Sequence, residues 1–218
     1  MADEPKPYNP LDYDNLTQNC VRELLTRGPD TLPLAREFIG SGVYALFRIG
    51  DFPLYSSVRS QDASRPIYVG KAVPAGGRKG IAGGPTARPS KSLYGRLSEH
   101  TASIQAATNL RIQDFLCRYL VVEPLWIVMA EGFLIRHYKP LWNVCLEGFG
   151  NHDPGKGRHE GEIAWWDALH SGRSWAGWLR QTRTAAQAEE RVRMFLGAPE
   201  DQKEQFAELA LGTEETEQ

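Results

Sequence analysis

Two tyrosines, an arginine followed four residues later by a histidine, and one carboxylate among apolar neighbours are the residues of this chain whose types and spacing offer chemistry. Tyr44 lies in Gly42-Val43-Tyr44-Ala45-Leu46-Phe47 and Tyr68 in Pro66-Ile67-Tyr68-Val69-Gly70-Lys71. Each run is short, rich in β-branched, aromatic and aliphatic residues, and bounded by Gly, Pro or charge, which predicts two neighbouring strands. If the strands pair antiparallel, both phenols can face one site, because residues on one face of a pair sit about 5 Å apart. Tyrosines in strands are more often half-buried packing residues, so the pair by itself reads first as core.

Residues Ser90 to Ala107 predict a helix with Ser90 or Ser92 as its N-cap. Leu93, Leu97 and Ile104 form its apolar stripe; His100 falls inside that stripe and Arg96 at its edge, on a shared face. A histidine there is ordinarily a hydrogen-bonded core residue. Sharing the face with an arginine, directly after a basic loop, points instead to the wall of an active site. Leu125 to Tyr138, ended by Pro140, predicts a second helix. On it Glu131 has Ile127, Val128, Leu134, Ile135 and Tyr138 as neighbours. Burying an unpaired carboxylate costs several kcal/mol. Glu131 must therefore be protonated, paired with a cation such as Arg36 or Arg118, or bound to a metal, and the sequence leaves these open. Asn143 follows twelve residues later as one amide in the apolar patch Leu141-Trp142-Asn143-Val144.

The elements that must position these groups follow from the same punctuation. A helix is predicted at Asn15 to Arg27, stopped by Gly28-Pro29, and strands at Gly42 to Ile49, Pro66 to Lys71 and Phe115 to Val122. Residues 51–65 are a polar insertion. Ala72 to Pro89 is a Gly- and Pro-rich basic loop able to wrap a phosphate backbone and order on binding. A second glycine-rich loop, Glu147 to His159, carries bases and two histidines and is either a further DNA contact, the reading favoured here, or a plain connection. Trp165, Trp166, Trp175 and Trp178 either anchor this region on the core or stack on bases. Two helices, near Thr184 to Leu196 and Asp201 to Leu211, precede an acidic tail, 212–218, read as disordered.

The 218 residues, 41% hydrophobic and 24% charged, suit one folded domain. The acidic, proline-rich start is unlike a signal peptide, and no apolar run approaches the roughly 20 residues of a membrane span. These features, with three scattered cysteines (Cys20, Cys117 and Cys145) read as reduced thiols, give a cytoplasmic expectation. The net charge of −2 conceals a division along the chain. Arg59 to Arg111 holds nine bases against two acids, whereas Thr184 to Gln218 holds three bases against nine acids. Such segregation implies a phosphate-facing surface on one side and a solvating segment on the other.

The ordered set Gly42-Val43-Tyr44, Tyr68-Val69-Gly70, Arg96 with His100, Glu131, and Asn143 after Lys139-Pro140-Leu141-Trp142 resembles the GIY-YIG nuclease family. The two triads read GVY and YVG, keeping both tyrosines and both glycines. Tyr68 to Gly76 and Gly148-Phe149-Gly150-Asn151-His152 look like the family's type II restriction endonucleases, a subgroup that cuts a GC-rich six-base palindrome. The resemblance implies an α/β (α+β) fold, with a small three-stranded antiparallel sheet flanked by helices as a catalytic core at 40–144. Residues 1–39 and 145–211 become extensions for DNA contact or dimerisation. It further implies Mg²⁺-dependent hydrolysis of double-stranded DNA, with Mn²⁺ able to substitute, leaving 5′-phosphate and 3′-hydroxyl ends. By that resemblance Glu131 is the metal ligand and Arg96 clamps the phosphate. Tyr44 takes the proton of the attacking water, assisted by His100 or Lys71; Tyr68 binds water or phosphate; Asn143 holds its neighbours. A palindrome calls for a homodimer, with Arg78, Lys79, Arg88 and Arg158 donating to guanines. The competing expectations are a repair or homing nuclease, or an inactive nucleic-acid-binding protein.

Overall fold

The computed structural model describes residues 9–74, 90–155 and 160–216. Arg78, Lys79, Arg88 and Arg158, the expected base-reading residues, lie outside the described residues. Among the described residues four strands form one antiparallel sheet: β1 (Asp30–Thr31), β2 (Gly42–Arg48), β3 (Tyr68–Ala72) and β4 (Phe115–Val121), in the order β1-β4-β2-β3. The three expected strands are its body, and the two-residue β1 adds to the outer edge of β4. Among the described residues seven α-helices accompany it: α1 (Tyr13–Thr26), α2 (Ser92–Ala106), α3 (Ile127–Tyr138), α4 (Leu141–Val144), α5 (Trp165–Leu169), α6 (Ala185–Gly197) and α7 (Glu200–Thr216). The last of these runs on into the acidic segment whose composition reads as disorder.

Every residue of β2 is buried, so this central strand is covered on both faces. Register and strand alternation set Tyr44, Leu46 and Arg48 on one face with Tyr68 and Gly70, and Val43 and Ala45 on the other with Val69, Lys71 and Arg118. The tyrosine face is covered by α2 and by the aromatic side chains that follow α4. The opposite face meets α3 through Lys71 and the end of α1 through Arg118, whose guanidinium donates to the carbonyls of Leu25 (2.9 Å) and Ala63 (2.9 Å). α1 closes over α3, with the Tyr13 ring edge-on to Phe133 at 4.8 Å. One apolar cluster runs through all of these elements, from Val21 to residues of α6 and α7.

One local expectation is corrected and one open choice is decided. Neither Ser90 nor Ser92 caps α2: the Ser90 hydroxyl donates to that of Ser92, which donates to the Gly40 carbonyl, and the same carbonyl takes the Leu93 N–H at 3.0 Å. A backbone acceptor thus does the capping work. The tryptophans also divide. Trp166 is fully buried against Trp142, Phe149 and His170. Trp165 lies under Arg183 and Arg191, and Trp175 under Arg173. These three anchor the C-terminal region on the core, whereas Trp178 is 58% exposed.

β3 is an edge strand, and the short helix after Pro140 covers its open side. Trp142 N–H donates to the Ile67 carbonyl at 3.0 Å. The Asn143 amide accepts from Val69 N–H and donates to Val69 C=O, both at 2.8 Å, replacing the two bonds a further strand would make. Asn143→Ala strips partners from two buried backbone groups. The expected cost is about 2–4 kcal/mol, a fall of about 5–10 °C in Tm; a melting curve that overlays the wild type would refute this assignment.

Candidate active site

Tyr44 sits opposite Gly70 on β3, and Tyr68 opposite Leu46, so the two phenols are diagonal neighbours on one face with ring centroids 6.2 Å apart. Gly70 is required by this approach: a Cβ there would stand 2.4 Å from the Tyr44 hydroxyl oxygen. Gly42 is required for a different reason, since its Cβ would fall 1.9 Å from the Leu120 carbonyl oxygen across the sheet. Both motif glycines are therefore space requirements, one at the site and one in the sheet.

α2 brings His100 to these rings. Its Nε2 lies 2.5 Å from the Tyr44 hydroxyl, and its ring is 5.2 Å from that of Tyr68. The residue is 2% exposed and lies nearly parallel to Phe149, with centroids 4.5 Å apart. Burial holds the His100 pKa well below the ordinary 6.5, and the positive charge of Arg96 pushes the same way. Burial likewise raises the Tyr44 phenol well above 10, with Tyr68 adding to the shift and Arg96 opposing it. The pair is thus neutral at pH 7. The phenol O–H donates to Nε2 in the tautomer whose proton is on Nδ1, a role assigned from geometry.

Arg96 projects one turn before His100. It donates through Nη2 to the Gly150 carbonyl at 2.8 Å and through Nη1 to Glu99 at 2.9 Å, and it also contacts His152. The second glycine-rich loop is therefore part of this wall. Sequence reading favoured DNA contact for that loop but missed Phe149 and Gly150 as neighbours of the catalytic candidates. The signal was an aromatic residue between two glycines.

Glu131 is 4% exposed and pairs with Lys71, whose Nζ is 2.5 Å from Oε2. Neither Arg36 nor Arg118 is the partner: Arg118 is spent on backbone carbonyls. Of the two groups considered as assistants to Tyr44, His100 holds the phenol and Lys71 holds the carboxylate. The field of Glu131 still reaches the phenol, among the smaller influences raising its pKa. Among the described residues no three His, Cys, Asp or Glu side chains gather around a point. A metal cage made wholly of protein groups is therefore not built among them. Mg²⁺ can be held by one carboxylate, with its remaining oxygens from water and phosphate, and Glu131 could serve only with Lys71 Nζ displaced from Oε2.

A second buried pair repeats the theme away from the tyrosine motif. Tyr55 hydroxyl lies 2.5 Å from His170 Nε2, and His170 Nδ1 lies 2.8 Å from Asn109 Oδ1. Burial depresses His170 to about 3, helped by Arg48. Two histidines that stay neutral when folded but protonate near 6.5 when unfolded make the unfolded state bind more protons below that pH. Stability is then full above 6.5 and falls on acidification towards the folded values, by about 1.4 kcal/mol per pH unit for each group. Urea unfolding at pH 5.5 is expected to give about 2–3 kcal/mol less than at pH 7.5, with His170→Asn flattening the profile; equal stabilities would contradict it.

Residues 36–196 match the family model described as the Eco29kI GIY-YIG domain. No curated protein matches the chain. Among the described residues no helix is long and apolar enough to cross a membrane.

Proposed function

The chain belongs to the Eco29kI GIY-YIG family and is a nuclease, and from this we propose that it is a type II restriction endonuclease cutting double-stranded DNA at a short palindrome. The observation that carries the chemistry is the 2.5 Å contact between Tyr44 and a neutral, buried His100, beside the Arg96 guanidinium.

Hydrolysis of a phosphodiester needs a deprotonated water, charge stabilisation at the phosphate and help for the departing 3′ oxygen. A phenol with a raised pKa is a poor base by itself. Bonded to His100, it need not ionise in advance. As water attacks phosphorus, its proton passes to the Tyr44 oxygen while the phenol proton passes to His100 Nε2, so the charge ends on the imidazole. The bond from phosphorus to the 3′ oxygen breaks and that oxygen takes a proton from solvent, giving 5′-phosphate and 3′-hydroxyl ends. Arg96 holds the phosphate with its planar fork, exchanging its exposed partner Glu99 for phosphate oxygens. Tyr68 orients the water or a phosphate oxygen, and Asn143 fixes β3 beneath it. Glu131 would hold Mg²⁺, with Mn²⁺ as a substitute, once Lys71 gives way. Bound there, the ion supplies positive charge to the phosphate and the leaving oxygen.

Reading a palindrome with two strand cuts calls for a two-fold dimer. Either α1, whose start exposes Leu11 and Tyr13, or the α6 and α7 pair supplies the contact. The GC-rich six-base target follows from the subgroup resemblance, with Arg78, Lys79, Arg88 and Arg158 as guanine donors.

Digestion of plasmid DNA with and without Mg²⁺ tests the reading. Discrete fragments that appear only with the metal are expected, and sequencing their ends gives the target. Single nicks or structure-dependent cuts would indicate a repair nuclease, and intact DNA with a gel shift an inactive binder.

A further inference from the structure

Arg173 lies well beyond the stretch that carries the tyrosine, arginine and glutamate motifs, yet its guanidinium is spent on the loop that walls the site. Its Nε and Nη2 donate to the two carboxylate oxygens of Asp167, both at 2.6 Å. Nη1 donates to the carbonyls of Phe149 (3.0 Å) and Asn151 (3.1 Å), and Nη2 to that of Gly148 (2.7 Å). These five bonds match the five N–H donors that a guanidinium possesses. Its Cζ lies over the indoles of both Trp166 and Trp175, 4.6 Å from each ring centre, and the residue is 6% exposed.

The same backbone touches the catalytic candidates from its other side. Phe149 lies flat against His100, the Gly150 carbonyl accepts from Arg96, and His152 meets Arg96 and Glu99. Carbonyls 148, 149 and 151 are thus fixed by Arg173, while residues 149, 150 and 152 set His100 and Arg96. Phe149 also packs edge-on to Tyr68 at 4.9 Å, so one loop borders three members of the site.

We propose that Arg173, locked to Asp167, is a positioning residue for DNA cleavage: it fixes residues 148–152 so that Phe149 holds the His100 ring against Tyr44 and the Gly150 carbonyl aims Arg96. This rests on the nuclease reading above. Arg173→Lys keeps a positive charge beside Asp167 but offers three donors and no plane, so it cannot hold three carbonyls and a carboxylate against two indoles. A displacement of about 1 Å at the reacting groups is worth about 100-fold in rate.

The test compares wild type, Arg173→Lys and Asp167→Asn in steady-state cleavage of one plasmid, together with the His100 ring signals in ¹⁵N-resolved NMR without DNA. Expected are a kcat about 100-fold lower in Arg173→Lys and about tenfold lower in Asp167→Asn, with KM within about threefold. The His100 signals should shift as its ring leaves Phe149 and the Tyr44 hydroxyl. If Arg173→Lys does not fold, Asp167→Asn carries the comparison. Unchanged kcat, a loss confined to KM, or unmoved His100 signals in folded variants would overturn the proposal. A wild type that leaves plasmid uncut would sink the nuclease reading instead, and the His100 signals would still decide whether Arg173 positions that ring.

Discussion

Glu131→Gln is expected to lower cleavage by about 10³-fold or more while leaving a gel shift on the DNA target. The side chain sits at 4% exposure on an apolar helix face, held by the Lys71 ammonium. A carboxylate in such a place is costly unless it serves a cation, and the amide keeps its shape while removing the charge that a divalent ion requires. A catalytic divalent ion is worth several kcal/mol of transition-state stabilisation, and each 1.4 kcal/mol is tenfold in rate. Lys71 keeps access to solvent, so the fold should survive; the melting curve checks this. Wild-type cutting by the variant would show that the ion pair is merely structural and that the metal, if any, is held elsewhere.

Tyr44→Phe comes next in size, with an expected loss of 10²- to 10⁴-fold, the range for removing a general base. In the proposed relay the hydroxyl oxygen, 2.5 Å from His100 Nε2, stands between that nitrogen and the attacking water. Its removal also leaves a buried imidazole nitrogen without its partner, at a cost of about 1–3 kcal/mol. Activity must therefore be measured well below the variant's own Tm, with DNA affinity unchanged as the sign that the site is intact. Tyr68→Phe should lose less, since it removes an orienting bond and leaves the relay in place. Should Tyr44→Phe cut within about tenfold of wild type, the base is another group and the relay through His100 is wrong.

What each element shows about legibility follows from range. Strands β2, β3 and β4 and helices α1, α2 and α3 stand within a residue or two of where periodicity and Gly or Pro punctuation put them, because those signals act over neighbouring residues. The N-cap of α2 was misread because its acceptor is the Gly40 carbonyl, about fifty positions away. β1 was missed because two residues carry no period.

By itself the sequence determined that Tyr44 and Tyr68 each lie in a short strand, that His100 and Arg96 share a helix face, and that Glu131 stands among apolar neighbours and so must be protonated, paired or metal-bound. Each of these is a statement about residues within one element, whereas the common face of the two phenols came from the register between two strands. The tertiary structure alone decided the partners: His100 rather than Lys71 for the Tyr44 hydroxyl, Lys71 rather than Arg36 or Arg118 for Glu131, and Arg173 for the loop beneath His100. A hydrogen bond or ion pair is settled by ångströms between elements far apart in the chain. Periodicity says only which way a side chain faces, whereas packing says what it meets.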